Sequence, residues 1–162
     1  MQTLEYRRET KTGKLVCFTY SECDKQLVAA HTWQLDSDGY VYCEIWRHNR
    51  RKKFKFHRMV MMFPLENVDH HDGDVSNNTR PNLRLANKMQ NGYNAKLSKA
   101  NTSGVKGVTY YKRQDTWQAE IAYEGKKKYL GRFKNKQDAI DARKKAEELY
   151  HGEFRREYLA TV

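Results

Sequence analysis

Apolar and polar positions alternate weakly from residue 3 to residue 20, with Leu4, Tyr6, Leu15, Cys17 and Phe18 flanking a Lys11-Thr12-Gly13-Lys14 turn. A period of two around a glycine turn predicts a β-hairpin. Ser21 to His31 predicts a short helix, with Ser21 as N-cap and Leu27, Val28 and Ala30 on its apolar side. Trp33-Gln34-Leu35 then passes through Asp36-Ser37-Asp38-Gly39 into the run Tyr40 to Trp46, a second hairpin signal. Arg47 to Lys55 carries six Lys or Arg in nine residues and reads as a basic hairpin tip suited to phosphate. The apolar run from Phe56 to Phe63 is stopped by Pro64 and predicts a helix, its Met59–Met62 face packed in a core.

Glu66 to His70 reads as a strand and Asn82 to Leu85 as its antiparallel partner. Between them, Asp72-Gly73-Asp74 and Ser76-Asn77-Asn78 are tight turns, because Gly supplies positive φ and Asx side chains close local turns. Asn87 to Lys96 predicts a helix, and Leu97 to Ser103 is small and polar, a linker. Beyond it, Gly104 to Arg113, Trp117 to Tyr123 and Lys127 to Phe133 alternate between short turns, a three-stranded meander. Apolar residues then recur at Ala139, Ile140, Ala142, Ala146, Leu149 and Tyr150, a helical stripe that starts at an Asn135 N-cap and stops at Gly152.

Composition narrows the partner. The net charge is +11, which points to a polyanion. Residues 1–58 hold 12 Lys/Arg against 7 Asp/Glu and residues 101–162 hold 14 against 9, while residues 59–100 hold only 5 against 4. Basic flanks around a near-neutral centre suit nucleic acid held across a metal-binding middle. Cys17, Cys23 and Cys43 are odd in number and form no C-x-x-C pair, so a structural zinc site is not expected and a reducing, cytoplasmic setting is. No signal peptide and no membrane-spanning run is expected.

The segment from Asp69 to Asn94 concentrates the chemistry. Phosphodiester hydrolysis needs a base for water and a hard cation held by oxygen ligands. His70 offers a base whose ordinary pKa lies near neutrality, and Asp69 and Asn91 offer oxygen ligands for Mg²⁺ or Mn²⁺. The pattern D-H-x-D-G-D-x-x-N-N-x-x-x-N-L-R-x-x-x-x-x-Q-N resembles the HNH nuclease motif of phage and intron-encoded homing endonucleases. The resemblance implies that Asp69 and Asn91 are metal ligands, His70 the general base and Asn82 the residue bracing the loop. His71 departs from the apolar residue usual after that histidine, leaving His70 and His71 both open as the base. A preceding W-x-x-x-x-x-G-Y-V and a strand ending in His-Arg resemble the N-terminal part of this subclass, which would bring His57 and Arg58 near the scissile phosphate; a core histidine beside a surface arginine is the equal alternative. The D-H-H run also looks like that of the DHH phosphoesterases, but those need upstream aspartates in a parallel sheet, which this chain lacks.

The meander and final helix, with S-G-V-x-G-V, W-x-A-E-I, Y-L-G-x-F and A-x-x-L-Y-H-G-E-F, look like an AP2 DNA-binding domain over about residues 103 to 154. By that resemblance Lys106, Arg113, Glu120, Lys127 and Tyr129 would face DNA, with Arg50, Arg51, Lys52 and Lys53 of the basic tip as further contacts. Thr109 and Ala122 replace basic residues common in plant relatives. Trp117 reads as core.

The expected protein is therefore α+β. It has N-terminal β-hairpins leading into a ββα-metal unit at about residues 66–97 of a nuclease domain spanning 1–97. A linker at 98–103 leads to a three-stranded antiparallel sheet packed on one helix at 104–158, AP2-like. The expected activity is metal-dependent cleavage of double-stranded DNA, with no protein partner and with monomer and dimer both open. The alternative is a non-catalytic DNA-binding regulator carrying an AP2-like domain; intact Asp69, His70 and Asn91 separate the two.

Overall fold

The structure is a computed structural model that describes residues 1–95, 97–98 and 100–155. Its chain divides into two units, Met1–Asn87 and Lys88–Val162. The division falls ahead of the expected linker, so the helix carrying Asn91 counts with the second unit.

In the first unit, β1 (Thr3–Glu9) and β2 (Leu15–Ser21) form the expected hairpin. Alternate residues of β2 point inward, which buries Val16, Phe18 and Tyr20. The helix expected over 21–31 is shorter: a 3-10 turn at Glu22–Asp24 runs into α1 (Lys25–Ala29). Ser21 makes no side-chain cap. Its hydroxyl instead accepts the Arg80 backbone N–H at 2.8 Å, while the Arg80 guanidinium grips buried Asp24 with Nη2 to Oδ1 at 2.7 Å. These two contacts fasten the start of the chain to the loop that follows the histidine motif.

Strands β3 (Gln34–Leu35), β4 (Val41–Arg47) and β5 (Arg50–Lys55) make one antiparallel sheet in that order. The basic stretch is thus mostly strand rather than tip. Only His48 and Asn49 turn the corner, both at positive φ, as a tight two-residue hairpin turn requires. Helix α2 (Phe56–Val60) follows and drops Phe56 and Val60 into the core. That core centres on Trp33, Phe18 and Phe56, whose rings meet edge-on or tilted at centroid distances of 4.7 to 6.1 Å.

Strands β6 (Asn67–His70) and β8 (Leu83–Ala86) pair antiparallel, with Asp69 opposite Arg84 and His70 opposite Leu83. Between them, β7 (Asn77–Asn78) pairs in parallel with β2, through Thr19 and Tyr20. Nothing in the sequence pattern announces β7, because two residues carry no period.

The second unit begins with α3 (Lys88–Asn94). Lys96, the last residue expected in this helix, lies outside the described residues. Strands β9 (Val108–Tyr111), β10 (Thr116–Tyr123) and β11 (Lys126–Phe133) form the meander, with β10 central. Helix α4 (Lys136–Tyr150) packs on one face through Ala139, against Val105, Val108 and Ala119. Asn135 makes no bond to the first-turn backbone; its amide reaches Asp138 at 3.4 Å. Gly107 is required where β9 begins, since its φ is +74° and a Cβ there would meet the Glu120 carbonyl at 2.2 Å.

Candidate active site

Strand β6 delivers its last two residues, Asp69 and His70, into buried surroundings, with 6% and 3% of their surface exposed. Asp69 faces Arg84 across the ladder, and its Oδ2 accepts both Nε at 3.0 Å and Nη2 at 2.9 Å of that guanidinium. The guanidinium supplies the opposite charge and the hydrogen bonds that a buried carboxylate requires.

His70 is held by Asn78, which is fully buried. The Asn78 amide nitrogen donates to the carbonyls of Val75 and Ser76 at 3.2 and 3.1 Å, which turns its Oδ1 toward His70 Nε2 at 3.2 Å. An acceptor at that distance assigns the ring proton to Nε2, so in the neutral imidazole the basic lone pair is on Nδ1. Burial pushes the His70 pKa down, opposed by the Asn78 bond and by the carboxylates of Asp72, Asp69 and Asp74. The ring is thereby kept in the form that accepts a proton.

The loop between β6 and β8 is cross-tied by its own polar side chains. Asn82 donates to Asp72 Oδ1 at 2.9 Å and to the Asn77 carbonyl at 2.7 Å, and accepts the Asp72 N–H at 3.1 Å. Asp72 Oδ2 takes the Asn77 amide at 2.7 Å, and Asp74 caps Ser76 through its N–H and hydroxyl. His71 is exposed, and its N–H donates to the Asn82 carbonyl.

His57, from α2, stands beside His70 with ring centroids 5.1 Å apart and planes at 78°. Tyr40 touches both rings, at 5.3 Å from His57 and 6.0 Å from His70. Burial, then the neighbouring imidazole and cations, lowers the His57 pKa to about 3. Its buried Nδ1 has no hydrogen-bond partner. Such a ring is neutral throughout the working range and acts as a wall for His70. Arg58, expected with it at the phosphate, gives its guanidinium to the backbone carbonyls of Pro64 and Glu66 and so fastens the turn after α2.

Asn91 is on α3, in the second unit, and is exposed. Among the described residues no three His, Cys, Asp or Glu side chains gather into a metal cage. Mg²⁺ needs no such cage, being held commonly by one or two carboxylates, waters and substrate phosphates. Asp69, a buried carboxylate beside the His70 imidazole and oriented by Arg84, is an oxygen donor of the kind a hard cation takes.

Arg50, Arg51, Lys52 and Lys53 of β5 are exposed, and Lys55 is half-buried. Arg51 lies over the Trp46 ring at 5.1 Å and Lys53 over the Tyr42 ring at 4.6 Å, while Lys52 stands opposite Ile45 and Arg50 opposite Arg47. In the second unit, pairing puts Thr109, Gln118 and Arg132 in one row of the sheet face away from α4, then Glu120 with Tyr129, then Ala122 with Lys127. Lys127 pairs with Glu120 at 3.0 Å, and Tyr129 is 62% exposed. Arg113 is exposed in the 3-10 turn Lys112–Gln114 after β9. Lys106 does not join this face. Its ammonium donates to the carbonyls of Gly92, Tyr93 and Ala95 at 3.1, 3.3 and 2.7 Å, closing the C-terminal end of α3. Trp117 is half-buried and packs against the core beneath the sheet.

Sequence reasoning passed over three residues at this site. Asn78 was read only as a turn residue, Arg84 only as part of N-L-R, and Tyr40 only as the start of a strand. Arg132, stacked over Tyr111 at 4.6 Å on the open sheet face, was missed as well. Strand alternation alone would put it on the other face from Lys127 and Tyr129; a register shift between Ala119 and Glu120 brings it opposite Gln118.

No protein-family model matches the chain. Over 59 residues it is 42% identical to Protein 3.8 of Escherichia phage T7, covering 36% of this chain and 49% of that protein. Over 117 residues it is 29% identical to an uncharacterized HNH endonuclease of Acanthamoeba polyphaga mimivirus, covering 67% of this chain and 57% of that one. The matches thus span about half the length of these curated relatives. A solved structure concerned with DNA binding and cleavage by the HNH homing endonuclease I-HmuI covers 91% of this chain and 88% of its own, at 20% identity and a TM-score of 0.38. No helix among the described residues is long and apolar enough to cross a membrane. The chain is thus similar, at 29% identity, to a protein named as an HNH endonuclease.

Proposed function

We propose that this chain is an HNH endonuclease of the homing type, hydrolysing phosphodiester bonds of double-stranded DNA with a divalent metal. The observation that carries the reading is the Asn78–His70 contact beside Asp69: a buried, neutral imidazole whose proton is assigned to Nε2. His70 Nδ1 takes the proton from the attacking water, which is general-base work. Mg²⁺ or Mn²⁺, when bound, would supply charge stabilisation at the departing oxygen, with Asp69 as its protein ligand in the first unit. Asn82 holds the loop in register, and Arg84 orients the Asp69 carboxylate. Tyr40 and His57 pack beside the His70 ring and help to bury it.

The second unit is assigned the role of grip. Its open sheet face carries Arg132, Tyr129, Lys127 and Gln118, an aromatic and basic surface of the kind that enters a DNA groove in AP2-like domains.

The test is cleavage of supercoiled plasmid with Mg²⁺, Mn²⁺ or EDTA, resolved into nicked and linear products. Metal-dependent nicking that His70→Ala abolishes supports the reading. Tight DNA binding without cleavage in any metal returns the protein to the class of non-catalytic DNA-binding regulators.

A further inference from the structure

The face of the β4–β5 hairpin turned away from the core carries a ladder of aromatic rings and cations. Val41, Cys43 and Phe54 take the core face, so alternation turns Tyr42, Glu44 and Trp46 outward, each opposite a cation: Lys55, Lys53 and Arg51. The Lys53 ammonium rests 4.6 Å from the Tyr42 ring centre, and the Lys55 ammonium 3.9 Å from that of Tyr40. Arg51 lies 5.1 Å over Trp46 and 3.6 Å from Glu44. At its lower end the ladder reaches the candidate base, since Tyr40 also packs on His70 at 6.0 Å.

At the upper end the balance is different. Tyr42 is buried beneath its lysine, but Trp46 is 66% exposed despite the arginine over it. A large aromatic ring left in water beside so many cations asks for a partner that is both anionic and flat. Residues 47–55 hold six Lys or Arg and no acidic residue. Lysines alone would serve a phosphate backbone; the open indole adds a surface that only a ring can use.

We propose that Trp46 is a stacking site for an unpaired nucleobase, with Arg51, Lys53 and Lys55 carrying the adjoining phosphates along β5 toward His70. The proposal deepens the nuclease reading and takes its substrate class from it. Base–aromatic stacking tolerates any base, so this site confers hold and register without sequence preference. The four residue steps from Trp46 to Tyr42 span about 13 Å of strand, room for a few nucleotides of an opened strand.

The experiment uses the full chain and two oligonucleotides of equal length and charge, oligo(dT) and the same strand with abasic sites throughout. Wild type binds oligo(dT) roughly tenfold more tightly than the abasic strand, the weight of about one stacked base. Trp46→Ala abolishes that preference, Trp46→Phe retains most of it, and neither alters the salt slope; Lys53→Ala lowers the slope and keeps the preference. Equal binding of the two strands by wild type overturns the proposal, as does an undiminished preference in Trp46→Ala. Wild type binding neither strand overturns it too. Plasmid nicking by wild type, run in parallel, separates the fates: nicking with no base preference sinks the stacking site and leaves the nuclease standing.

Discussion

Asn78 turns its Oδ1 to His70 Nε2 at 3.2 Å because its amide nitrogen is claimed by the carbonyls of Val75 and Ser76. The loop backbone therefore sets the tautomer of the histidine through one fully buried side chain. Asn78→Ala leaves two part-buried carbonyls and one buried imidazole nitrogen without that amide. We expect it to destabilise the first unit by about 1–3 kcal/mol, read as a lowered denaturant midpoint at unchanged m-value.

Asn78→Asp separates charge from geometry. A carboxylate at that place favours the imidazolium, so the His70 pKa rises and the base form is reached only at higher pH. The acid limb of the pH profile of kcat/KM should move upward. An unmoved limb would mean that His70 is not the group being titrated.

His70→Ala should lower the cleavage rate about 10²–10⁴-fold, the usual weight of a general base, with DNA affinity nearly unchanged because phosphate contacts set it. His71, exposed on the loop, should tolerate the same substitution with most of its rate intact. The reverse outcome, loss in His71→Ala alone, transfers the role to His71.

The His57 pKa falls from 6.5 to about 3 on folding, chiefly through burial. Between those values the unfolded chain binds a proton that the native chain refuses, so stability drops as pH falls through this window. The limiting slope from one such group is about 1.4 kcal/mol per pH unit. His70 and His151 are lowered as well and tilt the curve the same way. His57→Phe should flatten the dependence of Tm on pH between 6.5 and 4; an unchanged slope would assign the acid sensitivity to other groups.

Gly107→Ala should unfold the second unit ahead of the first. The new Cβ would sit 2.2 Å from the Glu120 carbonyl, which also accepts Arg143 Nη1 at 2.8 Å, and the residue would be strained at φ +74°. Two separated transitions in calorimetry, the lower one shifted by the substitution, are the expected result.

What was legible in the sequence is what repeats at short range. The β1–β2 hairpin, the β9–β10–β11 meander and α4 each declare a period of two or of about 3.6 between glycine or Asx turns. The closeness in sequence of Asp69, His70 and Asn82 is likewise a matter of linear spacing, and so is the excess of charge in the flanks. Tertiary structure decided which atoms meet. Asn78 is eight residues from His70, and Thr19 is 58 from Asn77, to which its hydroxyl donates at 3.2 Å. Arg80 reaches across 56 residues to Asp24, and Lys106 spends its charge on carbonyls of α3 rather than on the open sheet face. Such contacts depend on which backbone groups are buried without a partner once the sheets have packed. A buried carbonyl or carboxylate recruits whichever donor the fold brings within 3 Å or so, and no local pattern of hydrophobic and polar residues encodes that meeting.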